Sequence, residues 1–209
     1  MAQQLSELPP HPHLLNLQEG YSEMRERNAL LFKTDSPEHI SLWKQFCKTN
    51  FSTPRLLLIF RQITSAVAHM HDHGLIHRDI HPTRLHWCNG KPVFNLIGLP
   101  YNYLKLLKGK NFAGHLPFSA PELLSKQQSY DGQSQVTTAV DVWSLGCCLY
   151  YFVVKKDPFE GANQDKQHTR TKANIMNMTI GDMKIKDPLV DSLLNACLIY
   201  EAQQRPSAH

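Results

Sequence analysis

The chain has 209 residues, enough for one domain with a core of its own. Its 42% apolar and 19% charged residues are ordinary for a globular protein and exclude a disordered or fibrous chain. A net charge of +4 is too small to argue for nucleic-acid binding, and the longest apolar run, Cys147 to Val154, is too short to span a membrane.

Residues 1–13 are polar, hold three prolines and read as a tail or entry loop. Met1-Ala2-Gln3-Gln4 lacks the basic and apolar regions of a secretory signal. Leu14-Leu15-Asn16-Leu17 and Ala29-Leu30-Leu31-Phe32 are strand-like, joined by a turn either around Glu19-Gly20 or across Glu23 to Asn28. Ser36-Pro37-Glu38 has the chemistry of a helix start, with Ser36 as N-cap, and predicts a short helix through about Lys48. Ser52-Thr53-Pro54 repeats that signal. Leu57, Phe60, Ile63, Thr64, Val67 and Met70 then fall at helical spacing, predicting a helix that stops near Gly74. Leu85 to Trp87 and Pro92 to Leu96 predict two strands around the turn Cys88-Asn89-Gly90.

Residues 99–119 predict a loop carrying Lys105, Lys108 and Lys110, more simply a solvated loop than a site for an acidic partner or nucleic acid. Pro121 starts a short helix, and Gln127 to Gln135 is a polar loop. Thr138 to Val154 is the most apolar helix and is expected to be buried on most sides. Gly161 to Thr171 is expected to be polar and mobile. Ala173 to Met178 and Pro188 to Tyr200 close the chain as helices. Five cysteines, Cys47, Cys88, Cys147, Cys148 and Cys197, are odd in number and form no C-x-x-C pair. They are expected to be free thiols in a reducing, cytoplasmic setting.

The sharpest chemistry lies in His77-Arg78-Asp79-Ile80-His81-Pro82-Thr83-Arg84. In the pattern H-R-D-L-K-P-x-N, the Asp accepts a substrate hydroxyl proton and the Asn holds a metal ion. Asp79 keeps the carboxylate, but His81 stands at the Lys position and Arg84 at the Asn position. A guanidinium has no lone pair for Mg²⁺ and repels it. Four landmarks follow in order: a strand pair ending at Leu96-Ile97-Gly98, where D-F-G would stand; Ala120-Pro121-Glu122; Asp141-Val142-Trp143-Ser144-Leu145-Gly146; and Arg205-Pro206-Ser207. On these motifs the chain resembles the large lobe of a eukaryotic protein kinase, over roughly residues 11–209.

The resemblance implies an α+β, protein kinase-like fold, mainly the helical C-terminal lobe with a truncated N-terminal lobe. Residues 1–10 would be a tail, 11–35 a partial N-lobe and hinge, and 36–209 the C-lobe. His11-Pro12-His13-Leu14-Leu15 is similar to the H-P-N-I-V piece of the small lobe. On that reading the chain begins partway through the lobe, and the sequence holds neither G-x-G-x-x-G nor V-A-I-K.

Site roles follow from the same resemblance. Asp79 is the remnant of the base, with His81 and Arg84 in place of its phosphate- and metal-binding neighbours. Leu96 replaces the D-F-G Asp, and its alkyl group cannot bind Mg²⁺. His86 falls where an apolar residue packs under adenine, and His115 replaces a Thr ahead of A-P-E. His77, Arg78, Glu122, Asp141 and Arg205 are structural: Glu122 pairs with Arg205, and Asp141 braces the backbone near His77 and Arg78, with Trp143 beneath.

The implied function is a pseudokinase without ATP or Mg²⁺, a scaffold for protein partners and able to dimerise through the lobe, with no nucleic acid and no membrane. The alternative is a divergent ATP- and Mg-dependent Ser/Thr kinase using Asp79. Arg84 filling the metal's place and locking the site, and Arg84 as a loss without a role, both stand open. Tyr150-Tyr151-Phe152-Val153, Pro158-Phe159, Lys172-Ala173-Asn174-Ile175 and Arg205-Pro206-Ser207-Ala208 are similar to the stress-sensing kinase/ribonuclease of the endoplasmic reticulum. His69 and His73, four apart on a helix, have a zinc-ligand spacing, but a polar helix end favoured by the dipole is the simpler reading.

Overall fold

The computed structural model describes residues 7–15, 17–24, 29–34, 40–41, 51–88, 90–95, 115–124, 136–159, 167–178 and 185–209. Strands β1 (Leu17–Met24) and β2 (Ala29–Thr34) pair antiparallel. Of the two expected turns, the later one falls on residues 25–28, which lie outside the described residues. Glu19-Gly20 lies inside β1, where the register shifts between Leu17 and Tyr21. A glycine within a strand commonly marks such a bulge rather than a reversal.

The helix expected from Ser36 to Lys48 is corrected at Ile40–Ser41. These residues form a short strand, β3, opposite Trp87 and His86. Pairing with a neighbouring strand overrides a local start signal, because helix propensity is a weak prior. The rest of that stretch lies outside the described residues.

Helix α1 (Thr53–Asp72) follows Ser52, whose extended backbone occupies the cap position without a side-chain cap bond. Leu56, Ile59, Phe60, Ile63, Ala66, Val67 and Met70 face the core, while Leu57 and Thr64 of the predicted stripe are half-buried. Gly74, at φ +71°, turns the chain away from the helix in a conformation that favours glycine. Strands β4 (Leu85–Cys88) and β5 (Lys91–Phe94) form the hairpin, with Gly90 at φ +76°. Together with β3 they make a three-stranded sheet in the order β3-β4-β5.

Helix α2 (Pro121–Leu124) is short. Helix α3 (Ala139–Val154) is the central element, and Trp143, Cys147 and Leu149 on it are fully buried. Helix α4 (Gln167–Met176) begins within the stretch expected to be mobile, and Thr171 and Ile175 anchor it in the interior. Two buried positions four residues apart are enough to fix one face of a helix in an otherwise polar segment. Helix α5 (Pro188–Cys197) is capped by Asp187, whose Oδ1 accepts from the Leu189 and Val190 amides. It packs closely on α3, and a methyl group added at Gly146 would lie 2.6 Å from the Cys197 Cβ.

Cys88, Cys147, Cys148 and Cys197 are buried and form no disulfide, and burial pushes the Cys197 thiol up to about 11. Cys47, the lysine-bearing loop and the Gln127–Gln135 stretch lie outside the described residues. No described helix is long and apolar enough to cross a membrane.

Candidate catalytic loop and its supports

The loop runs from Gly74 at the end of α1 to the start of β4. Ile80, 1% exposed, pins its middle to the core. Asp141, in the first turn of α3 and fully buried, braces it from below. Its Oδ2 accepts from the His77 amide at 2.8 Å and its Oδ1 from the Arg78 amide at 2.8 Å. This pairing holds Arg78 in a left-handed conformation, φ +66°, that a non-glycine residue adopts only when its surroundings impose it. His71, on the last turn of α1, gives Asp141 Oδ2 a further partner at 2.9 Å.

His77 is buried and neutral. Its Nε2–H donates to the Asn95 carbonyl at 3.0 Å, while Nδ1 accepts from the Asp79 amide at 3.2 Å. Burial pushes its pKa down to about 4, against the pull of Asp141 and Asp79. Its ring packs on Phe94 of β5 at 4.6 Å.

Asp79 points its carboxylate at Arg84. Nη2 lies 2.5 Å and Nε 3.2 Å from Oδ2, and His81 Nε2 stands 3.6 Å from the same oxygen. Burial alone would raise this carboxyl, but His81 and Arg84 outweigh it and hold the pKa at about 2. The tight turn Pro82–Arg84, closed by the Arg84 amide on the His81 carbonyl, sets Arg84 back toward Asp79. His81 also hydrogen-bonds Thr83 Oγ1 through Nδ1 at 2.8 Å. It stacks on His115 with ring centres 4.7 Å apart and planes 12° apart. His115 belongs to the segment leading to α2, and Ser144 of α3 holds that segment by donating to the Phe118 carbonyl at 2.7 Å.

The second support joins α2 to the chain end. Arg205 binds Glu122 in parallel, Nη1 to Oε1 at 2.7 Å and Nη2 to Oε2 at 2.9 Å. Its remaining N–H groups reach the carbonyls of Ile199, Ala139 and Tyr200, so all five guanidinium donors are used. The guanidinium also lies over Trp143 at 4.9 Å. Trp143 in turn stacks on Phe159, with planes 9° apart.

The sequence pattern of the protein kinase domain matches residues 2–209. The chain belongs to the protein kinase family. It is similar to Serine/threonine-protein kinase PSK1 of Saccharomyces cerevisiae, 30% identical over 161 residues, or 72% of this chain and 10% of that protein. It is also similar to Sperm motility kinase 1 of Mus musculus, 36% identical over 109 residues, covering 52% of this chain and 21% of that one. Serine/threonine-protein kinase RAD53 of Saccharomyces cerevisiae is 28% identical over 151 residues, 65% of this chain and 18% of its own length. The chain therefore spans between a tenth and about a fifth of the length of these relatives.

In this kinase domain, Asp79, His81 and Arg84 meet, and His77, Arg78 and Asp141 form the frame beneath them. Glu122 and Arg205 make their ion pair. His86 is half-buried on β4, opposite Val93 of β5, and Leu96 lies outside the described residues. Sequence reasoning missed His71 and the Asn95 carbonyl as supports. His71 sits in a run of alternating histidines and nothing marked it out, while a backbone acceptor leaves no trace in residue type. His69 Nε2 meets the Pro9 carbonyl at 2.9 Å, and His73 Nδ1 meets the His69 carbonyl at 2.8 Å.

Proposed function

We propose that this kinase domain is catalytically inactive and serves as a scaffold for protein partners. The guanidinium of Arg84 on Asp79 carries the reading. A catalytic base needs an oxygen within reach of the substrate hydroxyl. Of the two Asp79 oxygens, Oδ2 is taken by two N–H groups of the Arg84 guanidinium. The residues present do not fit Mg²⁺: the loop's one carboxylate is already neutralised, Arg84 stands at a ligand position with no lone pair, and Leu96 offers only carbon. The loss of one preorganised charge costs on the order of 10²–10³ in rate. Here several fail together, so neither ATP nor Mg²⁺ is a cofactor in this reading. The frame from Asp141 to Arg205 keeps the fold regardless.

Such a scaffold acts in the cytoplasm, apart from nucleic acid and membrane, through protein contacts that include a second copy of itself. Kinship with the endoplasmic-reticulum stress sensor is a further part of the proposal, supported by the four stretches that resemble it.

A second reading, a divergent Ser/Thr kinase, draws on the ionised Asp79 and on relatives that bear the name of Ser/Thr kinases. The melting temperature with and without Mg·ATP separates the two. A ligand at a hundred times its Kd stabilises by about 2.7 kcal/mol, a rise of several degrees for a chain of this size. No Mg-dependent rise is expected. A rise that needs both Mg²⁺ and ATP overturns the inactive reading in favour of the kinase.

A further inference from the structure

A second group of histidines lies away from the catalytic loop. The segment Pro9–Leu15 crosses α1 and joins the hairpin: the Leu15 amide donates to the Phe94 carbonyl at 2.9 Å and the Phe94 amide to the His13 carbonyl at 2.8 Å. Three imidazoles secure it. His13 Nδ1 meets the Pro92 carbonyl at 2.9 Å, His69 Nε2 meets the Pro9 carbonyl at 2.9 Å, and His11 Nε2 meets Ser65 Oγ at 3.2 Å. His11 is stacked on His69 at 5.1 Å, His69 lies 4.5 Å from His73, and His11 lies 5.8 Å from His13.

The contacts differ in how they answer a proton. His13, His69 and His73 all donate to carbonyls, and a donor bond survives protonation. His11 alone accepts: its Nδ1 takes the His13 amide at 3.2 Å, a bond that exists only while that nitrogen is bare. We infer that His11 is the proton-sensitive pin of a clasp that fastens Pro9–Leu15 to α1 and the hairpin, and that acid opens it.

A proton on His11 removes the bond from the His13 amide and places one cation against others. The groups acting on it are His69 of α1, His13 of its own segment and Lys91 of the hairpin, each disfavouring the added charge. The carboxylates on these elements, Glu7 and Asp72, are not among those groups, and Asp72 is paired with His209 at 3.0 Å. Burial first, and then these neighbours, lower the His11 pKa. A lowered histidine pKa means that attachment is complete above about pH 6.5 and weakens as pH falls below it.

The clasp also reaches the catalytic loop, since Phe94, which it holds, is the residue on which His77 packs. Amide hydrogen exchange at Leu14 and Leu15, corrected for intrinsic rates, tests the inference on the whole chain. Between pH 7.5 and 5.5 their protection should fall, while α3 amides hold. In His11→Asn, whose side-chain oxygen still accepts but does not titrate, the fall should disappear. Equal protection at both pH values in the natural chain, or a fall that persists in His11→Asn, overturns the inference.

Discussion

Replacing Arg205 by Met, which keeps the length of the side chain and removes the guanidinium, tests the frame most severely. Five hydrogen bonds are lost at once, two to Glu122 and one each to Ile199, Ala139 and Tyr200. The Arg205 side chain is 0% exposed, so water cannot replace them at its end, whereas Glu122 keeps 27% of its side chain in solvent. The two partners should therefore differ. Breaking a buried pair from the fully buried side costs about 3–5 kcal/mol. Glu122→Gln leaves the three carbonyl bonds and the Trp143 contact intact and removes a partly hydrated charge, so about 1 kcal/mol is expected. At about 2–4 °C per kcal/mol for a chain of this size, Arg205→Met should melt roughly 10 °C lower and Glu122→Gln only a few degrees lower. Thermal melts and urea titrations of the three proteins give the comparison. Equal losses in the two variants, or a loss under about 1 kcal/mol for Arg205→Met, would refute the reasoning.

Further outcomes are expected elsewhere. His77, held at about 4, takes up its proton more readily once unfolded, so its contribution is intact above pH 6.5 and is lost as pH falls toward 4. The stability difference between the natural chain and His77→Asn should shrink across that window by up to about 3 kcal/mol, read by urea unfolding at each pH, and a constant difference would contradict the buried neutral imidazole. Gly146→Ala brings a methyl group to 2.6 Å from the Cys197 Cβ, an atom fixed to the backbone of α5, and should cost about 1–3 kcal/mol. Cys197→Ala should not rescue it, because the offending Cβ remains; an unchanged melting temperature in Gly146→Ala would show that α3 and α5 are not so close. Arg84→Asn takes the guanidinium off Asp79 and restores a lone pair at the metal position, yet the melt with Mg·ATP should stay flat, because Leu96 offers no ligand and the sequence holds neither G-x-G-x-x-G nor V-A-I-K. A Mg-dependent rise in the single variant would mean that Arg84 alone blocks the site.

Much of this was legible in the sequence because kinase motifs bind short, contiguous runs to fixed roles. The substitutions at His81 and Arg84 stand beside the residue they affect, and a turn of three residues was enough to return Arg84 to Asp79. The long helices were legible for a similar reason, since Phe60, Ile63, Val67 and Met70 declare a buried face by their spacing. Weak local signals failed. Ser36-Pro37-Glu38 announced a helix, and Ile40–Ser41 instead joined a strand more than forty residues away. The polar stretch before Ala173 concealed the start of α4, which two buried side chains anchor.

By itself, then, the sequence determined which chemical groups stand around the base position: the Asp79 carboxylate, the His81 imidazole and the Arg84 guanidinium, with no second carboxylate for Mg²⁺. It also marked Glu122, Asp141 and Arg205 as supports. Only the tertiary structure decided what those groups face. Asp141 meets His71 seventy residues away in the chain, His77 donates a hydrogen bond to a backbone carbonyl, and His11 settles against α1 with its one bare nitrogen turned to an amide. Such partners depend on how helices and strands come together in space. A hydrogen bond between distant residues is chosen by packing, and neither residue carries a local pattern that names the other.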